Sequence, residues 1–491
     1  MVMAEMTPTT TPSTRTTATT ADRLTTDTRP PVTGGMNVRI HRGAHEIGGS
    51  CVEVEYLGSR IVLDVGKPLW AGWDEFVPLP DVSGLADGSD RSLAGVLISH
   101  PHLDHYGLID QVHTSVPIYI GQEATRLLAE AEFFSSAGIT LHPTGFLVDR
   151  QPIRVGAFTV TPYLADHSGY DSYSLLVQAG GRSLFYTGDI RGHGRKARLF
   201  EELLANPPKD IDVLLCEGTH IHADDSQRVE VVDDEVRRSE GESADVGRSE
   251  LGLPEGGSSE SDVEHSLVER MRTTKGAVMV ASSAQNIDRL VTVYRACLRS
   301  GRTLVTDLYT ASIVAAIGRG TIPQPGFPKY KVYVPNRQRV LVKTAGQFDR
   351  MELVQDCRVF PEWLAEHAGE ITLLQPSSAV AELLRAGVLA DGTVVWSLWP
   401  GYLKDASGKR LVSSLESARV PFVLDHSSGH ASVRDLQRMV EALRPGVVVP
   451  IHTEGADAYG EMFDRVEARG DGEWWGVRSG LRPDLGTWST R

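Results

Sequence analysis

The stretch SHPHLDHYG, residues 99–107, sets three histidines and an aspartate within six consecutive positions. It follows VLIS, an apolar run that reads as the end of a strand. In an extended turn His100 and His102 point to one side, while Asp104 and His105, being adjacent, diverge toward a neighbouring point. One metal cannot easily take all four. Two metals about 3.5–4 Å apart satisfy that geometry, and such a pair suits in-line displacement. The competing reading is a polar turn with incidental histidines. The chain has 16 His, so chance pairs are common, but H-x-H-x-D-H directly behind an apolar strand is not one.

Two metals need further ligands, each at a strand end. His167 in YLADHSGYDS, Asp189 in LFYTGDIRG and His452 in VVVPIHTEG meet that condition. Asp64 in IVLDVG ends another strand and is a natural partner to orient a ligating histidine. Taken singly, a loop His or Asp is more often solvated than ligating. Taken in order, these residues match one architecture.

The composition of the surrounding chain is ordinary for a soluble globular protein. Its 491 residues exceed one compact core, so two modules with appendages are expected. No apolar run is long enough to span a bilayer, and no signal pattern opens the chain, which predicts a cytoplasmic protein. Cys51, Cys216, Cys297 and Cys357 are scattered without a CxxC pair and read as buried thiols. Residues 1–35 hold 13 Thr and several Pro and read as a low-complexity, disordered tail. Residues 223–264 carry 14 Asp/Glu against 4 Arg. That insert, read as disordered, accounts for −10 of the net charge of −15, so the charge does not exclude a nucleic-acid partner.

Between these segments, residues 36–222 read as strands with few helices, including hairpins turning at LGSR and AGGR. Past the insert the rhythm becomes alternating α and β. Residues 265–395 are therefore expected to form an α/β module, and residues 396–491 to complete the first scaffold.

The order Asp64, His100-x-His102-x-Asp104-His105, His167, Asp189 resembles the metallo-β-lactamase superfamily over nearly the whole chain beyond residue 36. The fold so implied is α/β, an αββα sandwich. The resemblance also implies that His100, His102 and His167 hold one zinc. Asp104, His105 and His452 would hold a second, with Asp189 bridging. The cofactors would be two Zn2+, with Mn2+ as the alternative, and water on the metals, its pKa lowered toward neutrality, would be the nucleophile.

The superfamily spans many substrates, so the metal site alone does not name one. Glu217 in LLCEGTH, His430 in DHSSGHAS and His452 in PIHTEG resemble the three extra motifs of the β-CASP nucleases, in which an α/β module interrupts the scaffold. The stretch HSSGHASVRDLQRMVEALRPGVVVPIHTEG is especially similar to bacterial ribonuclease J. The resemblance implies an RNA-cleaving hydrolase. Asp104, His430 and Glu217 are its catalytic candidates, with His430 as proton donor and Glu217 keeping it charged. It departs from ribonuclease J in the spacers Pro101 and Leu103, and in the mere 39 residues after His452, too few for that family's C-terminal domain.

Weaker signals concern the RNA itself. Ser282, Ser283 and Asn286 sit at a strand-to-helix junction suited to a phosphate, although simple helix capping is an equal reading. Arg191, with Arg195 and Lys196, follows Asp189 and is expected at backbone phosphates. FPKYKVYVPNRQRVLVK interleaves Lys and Arg with Phe327, Tyr330 and Tyr333, a candidate path for single-stranded RNA or else an exposed strand face. His41, His45, His113, His142 and His367 read as structural or surface residues. A homo-oligomer is compatible with this family reading, and a membrane is not an expected partner. Two rivals stand beside an RNA hydrolase: a hydrolase of a small ester, thioester or phosphodiester, and a non-catalytic nucleic-acid-binding relative.

Overall fold

A computed structural model describes residues 34–478 apart from 73–74, 136–138, 140 and 223–257. Residues 1–33 and most of the acidic insert therefore lie outside the described residues. The N-terminal strands follow from alternation. Asn37–Arg42, Cys51–Tyr56 and Ser59–Leu63 pair as antiparallel neighbours, the last two turning at Leu57-Gly58. Leu93–Leu97, Ile118–Gly121 and Gly145–Leu147 then add in parallel, and Trp474–Gly476 closes the other edge of a seven-stranded sheet.

A second sheet of six strands runs Val447–Ile451, Val213–Glu217, Arg182–Tyr186, Tyr173–Ala179, Phe158–Leu164, Ile153–Val155. The two sheets face each other. Val38, Val52 and Ile61 of the first share one buried cluster with Phe158, Leu175, Leu184, Val213 and Val449 of the second. Helices cover both outer faces. Gln122–Phe134 packs on the first sheet, while Ala197–Ala205 and Val433–Leu443 pack on the second. This is the expected αββα sandwich.

The third sheet is all parallel: Arg358–Val359, Tyr330–Tyr333, Thr303–Thr306, Ile371–Gln375, Val278–Ala281, Thr393–Trp396, Phe422–Leu424. Its extent corrects the boundaries expected from the sequence. Its first helix, Glu260–Thr273, begins inside the stretch read as disordered, with Ser259 and Asp262 forming a capping box. Its last strand lies beyond residue 395, because Thr393–Trp396 pairs in parallel with Phe422–Leu424 across the helix Ala406–Ser417. Completion of the sandwich therefore begins after Leu424, when Val447–Ile451 joins Val213–Glu217.

The proposed aromatic RNA path is also corrected. Tyr330 and Tyr333 are buried in a parallel strand paired on both sides, Phe327 packs against the core, and Asn336–Ala345 is a helix. Strands buried on both faces cannot offer a stacking surface.

The sandwich and the module share one apolar core. Phe134 stacks on Tyr309 at 4.9 Å where Gln122–Phe134 meets the helix Leu308–Ile317. Beside the candidate site they are joined by charge. Arg191 of the sandwich is fully buried and donates to Asp288 Oδ2 at 2.6 Å, to Asp166 Oδ1 at 3.4 Å and to Ser428 O at 2.7 Å. Glu260 receives Arg289 Nη2 at 3.0 Å and Thr292 Oγ1 at 2.6 Å. Arg195 and Lys196 reach Glu264 and Asp288. Arg191 is thus a buried joint between the two modules and not the phosphate contact expected of it. Its carboxylate partners already satisfy it, and no face of it reaches solvent.

Candidate metal centre

The ligand turn hangs on its neighbours by backbone bonds. After Leu93–Leu97 the chain turns at His100–Pro101, and Leu103–Tyr106 forms one helical turn instead of an extended one. Asp104 O accepts from Ser50 N at 3.1 Å, and His105 O accepts from Val65 N at 2.8 Å. Gly66 approaches so closely that a Cβ there would stand 1.8 Å from Asp104 O, so only glycine fits. Asp64 and His452 both hold left-handed backbone, φ 59° and 53°, a strained conformation that occurs here at two candidate site residues.

The structure gathers the seven expected ligands into two groups. His100, His102, His167 and Asp189 form one, and Asp104, His105, His452 and Asp189 the other. Within each group one ligand atom per residue lies within 4.8 Å of the rest. Asp189 Oδ2 stands 3.2 Å from His105 Nε2 and 3.5 Å from His100 Nε2. Both oxygens of Asp189 and the Nε2 atoms of His100, His105 and His452 are buried without a hydrogen-bond partner. Buried polar atoms are rarely left so, and five converging on one point fit divalent cations.

The outward ring nitrogens are occupied. His105 Nδ1 meets Asp64 Oδ2 at 2.8 Å, His100 Nδ1 meets Ser99 Oγ at 3.0 Å, and His452 Nδ1 meets Ser50 Oγ at 3.0 Å. His167 Nδ1 donates to Gly429 O at 2.5 Å. Such contacts turn Nε2 inward. His102 differs, its Nδ1 lying 3.0 Å from His167 Nε2. Burial holds His100 and His167 well below the usual histidine range and His102 at about 4, the neutral form a metal requires. At His105 burial is outweighed by Asp189, Asp104 and Asp64, which raise it well above that range. The carboxylates draw positive charge to this spot, and a cation satisfies them directly.

Asp64 also accepts from Ser99 N and Oγ and from Tyr186 OH, each at 2.7 Å. Of the histidines expected to ligate, it is His105 that Asp64 contacts. Asp64→Asn keeps the shape and removes the charge. It is expected to weaken divalent-metal binding about 10- to 100-fold, read by competition with a chelator. Unchanged affinity would reduce Asp64 to a tie between strands.

Glu217 and His430 also come together. His430 Nδ1 is 3.5 Å from Glu217 Oε1, 3.7 Å from Asp189 Oδ2 and 3.0 Å from Thr219 Oγ1. Burial would lower the imidazole, but Glu217 and then Asp189 raise it to about 9. Glu217 is fully buried and takes backbone N–H contacts from Thr219 at 3.1 Å and Ala431 at 3.4 Å.

The strand-to-helix junction divides. Asn286 caps the helix Ile287–Ser300, its side chain accepting from Arg289 N at 2.9 Å, so the capping reading holds for it. Ser282 is buried with its hydroxyl unpartnered, and Ser283 is exposed. His426 Nδ1 and Ser427 Oγ, which follow the edge strand of the same sheet, are also buried without partners.

The sequence reading missed Ser50, Ser99, Tyr186, Thr219 and the carbonyl of Gly429. Ser99 and Tyr186 flank ligand motifs, but nothing in their identity reveals an orienting role.

Residues 71–238 match a family model described as a β-lactamase superfamily domain. Residues 422–465 match the Zn-dependent metallo-hydrolase RNA specificity domain. Ribonuclease J of Mycobacterium tuberculosis is 26% identical over 443 residues, spanning 86% of this chain and 70% of that protein. Ribonuclease J of Mycolicibacterium smegmatis is 25% identical over 459 residues with the same coverage. A crystal structure of a protein of unknown function from Enterococcus faecalis covers 90% of this chain and 100% of its own, with TM-score 0.68 at 20% identity, a likeness of fold. Both donor groups are drawn from these matched segments, and the chain resembles the ribonucleases J of the metallo-β-lactamase/β-CASP kind.

Proposed function

We propose that this metal-dependent hydrolase cleaves phosphodiester bonds of RNA, internally or from the 5′ end, using two divalent cations, zinc or manganese. The observation that carries the reading is the His430–Glu217 pair standing beside Asp189, the residue common to both donor groups. His100, His102 and His167 would hold one cation, Asp104, His105 and His452 the other, with Asp189 between them. When bound, the cations supply Lewis acidity, lowering the pKa of water and neutralising phosphate charge.

The chain's own residues do the rest. Glu217 and Thr219 orient the His430 ring, and Glu217 keeps it protonated. Held so, Nδ1 or Nε2 gives its proton to the leaving oxygen as charge develops there. Ser282 and Ser283, with the helix start behind Asn286, offer donors for a neighbouring phosphate. The match of residues 422–465 to an RNA specificity domain and the names of the relatives support RNA as substrate. The assembled donor set speaks against a non-catalytic relative. No helix among the described residues is long and apolar enough to cross a membrane, and cytoplasmic RNA is the expected target.

The test is turnover of 5′-labelled RNA, DNA, bis(p-nitrophenyl) phosphate and a lactone with Zn2+ or Mn2+. RNA cleavage is expected, and lactone turnover without it would favour the small-ester reading. His430→Ala is expected to slow RNA cleavage by about 10²- to 10⁴-fold while metal content stays. Loss of metal in that variant would make His430 a ligand instead of an acid.

A further inference from the structure

Val213–Glu217 and Val447–Ile451 pair in parallel to their last residues, Glu217 opposite Ile451, so the turns behind them leave the sheet side by side. The turn after Glu217 is tied to its neighbour. Thr453 Oγ1 donates to Gly218 O at 2.9 Å, Ile221 N donates to the same carbonyl at 2.9 Å, and Ile221 is fully buried. A Cβ on Gly218 would stand 1.9 Å from the hydroxyl oxygen of Tyr459, so glycine admits this close approach. Glu217, Thr219 and His220 are thereby presented from a fixed backbone.

All three reach the loop that carries His430. Glu217 Oε1 and Thr219 Oγ1 meet the imidazole at Nδ1, and Glu217 Oε1 also accepts from Ala431 N. The backbone of His430 is held separately. Its N–H donates to Ser428 Oγ at 3.1 Å, and that oxygen lies 2.7 Å from His220 Nε2. The rings of His220 and His430 meet edge to face, 6.2 Å apart at 85°. His220 belongs to neither donor group, so the metal centre does not account for it.

We propose that His220 is a positioning residue for the His430 proton donor, acting through the Ser428 hydroxyl. The proposal rests on the RNA reading above and deepens it by naming a further residue which that chemistry needs. Without His220 the Ser428 side chain loses the contact that sets its rotamer, and the His430 N–H loses a fixed acceptor. Glu217 and Thr219 still hold the ring, but its place over the leaving oxygen shifts. A proton donor works only within hydrogen-bond reach, and a displacement of about 1 Å costs up to ~10²-fold. The cost depends on the leaving group. An RNA alkoxide departs poorly without a proton, whereas p-nitrophenolate is stable enough to leave without one.

The test measures kcat and KM on 5′-labelled RNA and on bis(p-nitrophenyl) phosphate, with metal content, for the full chain and four variants. These are His220→Ala, His220→Gln, Ser428→Ala and the double variant His220→Ala/Ser428→Ala. His220→Ala is expected to lower kcat on RNA about tenfold with KM near the parent's, and to lower the ratio of RNA to bis(p-nitrophenyl) phosphate turnover by the same factor. Glutamine sets a donor and an acceptor as many bonds from the backbone as Nε2, so His220→Gln should recover most of the rate. The double variant should be no slower than the slower single, since both changes remove one contact. A double variant slower than either single would overturn the route through Ser428. Equal losses on both substrates, a His220→Gln variant as slow as His220→Ala, or a His220→Ala variant with the parent's RNA rate would overturn the positioning role while the RNA reading stands. A parent that turns over bis(p-nitrophenyl) phosphate but not RNA removes both.

Discussion

Asp189→Asn is expected to abolish hydrolysis, lowering RNA cleavage by about 10³-fold or more, which corresponds to ~4 kcal/mol of transition-state stabilisation. Asp189 is the residue common to both donor groups, and neither of its buried oxygens has a hydrogen-bond partner. Its Oδ2 lies 3.2 Å from His105 Nε2 and 3.5 Å from His100 Nε2, and His105, His452 and His430 hold the carboxyl well below its usual range against its burial. Asparagine keeps the volume but removes the charge and one acceptor, so neither cation would keep its bridge. Metal analysis of the purified variant should show a lowered metal content beside the lost rate. A variant with near-parental cleavage and full metal would contradict the bridging role.

Arg191→Met is expected to destabilise the protein by about 3 kcal/mol, because it leaves the buried Asp166 carboxylate without its ion-pair partner and Asp288 with Lys196 alone. The same change leaves Ser428 O with His193 Nε2 as its contact in place of two, one residue from the carbonyl that orients His167 and two from His430, so cleavage should fall as well. Urea unfolding measures the first effect. Adding Asp166→Asn to Arg191→Met should recover part of the loss, since a neutral group at 166 costs less than one stranded charge. If the double variant is no more stable than the single, the joint acts through shape and not charge.

The same network makes a pH prediction. Glu260 is held at about 2, below its ordinary 4.5, by Arg289 and then Arg191 against its burial. A depressed folded pKa contributes stability above the unfolded value and loses it on acidification. Parental stability should therefore decline between about pH 4.5 and 2, and Glu260→Gln should flatten that decline while lowering stability at neutral pH.

Much of the centre was legible because the ligand motifs follow apolar strands. Asp64, His100, Asp189 and His452 mark strand ends, and parallel neighbours bring such ends to one edge of their sheet. The joint was not legible. Arg191 in GDIRGHGRK looks like a surface cation, and its partners Asp166 and Asp288 are 25 and 97 positions away. Tyr330 and Tyr333 misled for a different reason. Lysines alternating with aromatics suggest one wet face, yet the strand is covered on both faces, with Tyr330 and Tyr333 both buried and Lys331 only partly exposed. The end of the module was hidden because pairing of Thr393–Trp396 with Phe422–Leu424 depends on a crossover helix, not on either strand's own pattern.

The most direct test of the two-cation reading is a titration. Protein stripped by chelation is given Zn2+ in steps while cleavage of 5′-labelled RNA is followed. Activity is expected to be absent at the start and to reach its plateau at two equivalents of metal per chain. Cleavage by the stripped protein, or a plateau at one equivalent, would contradict it.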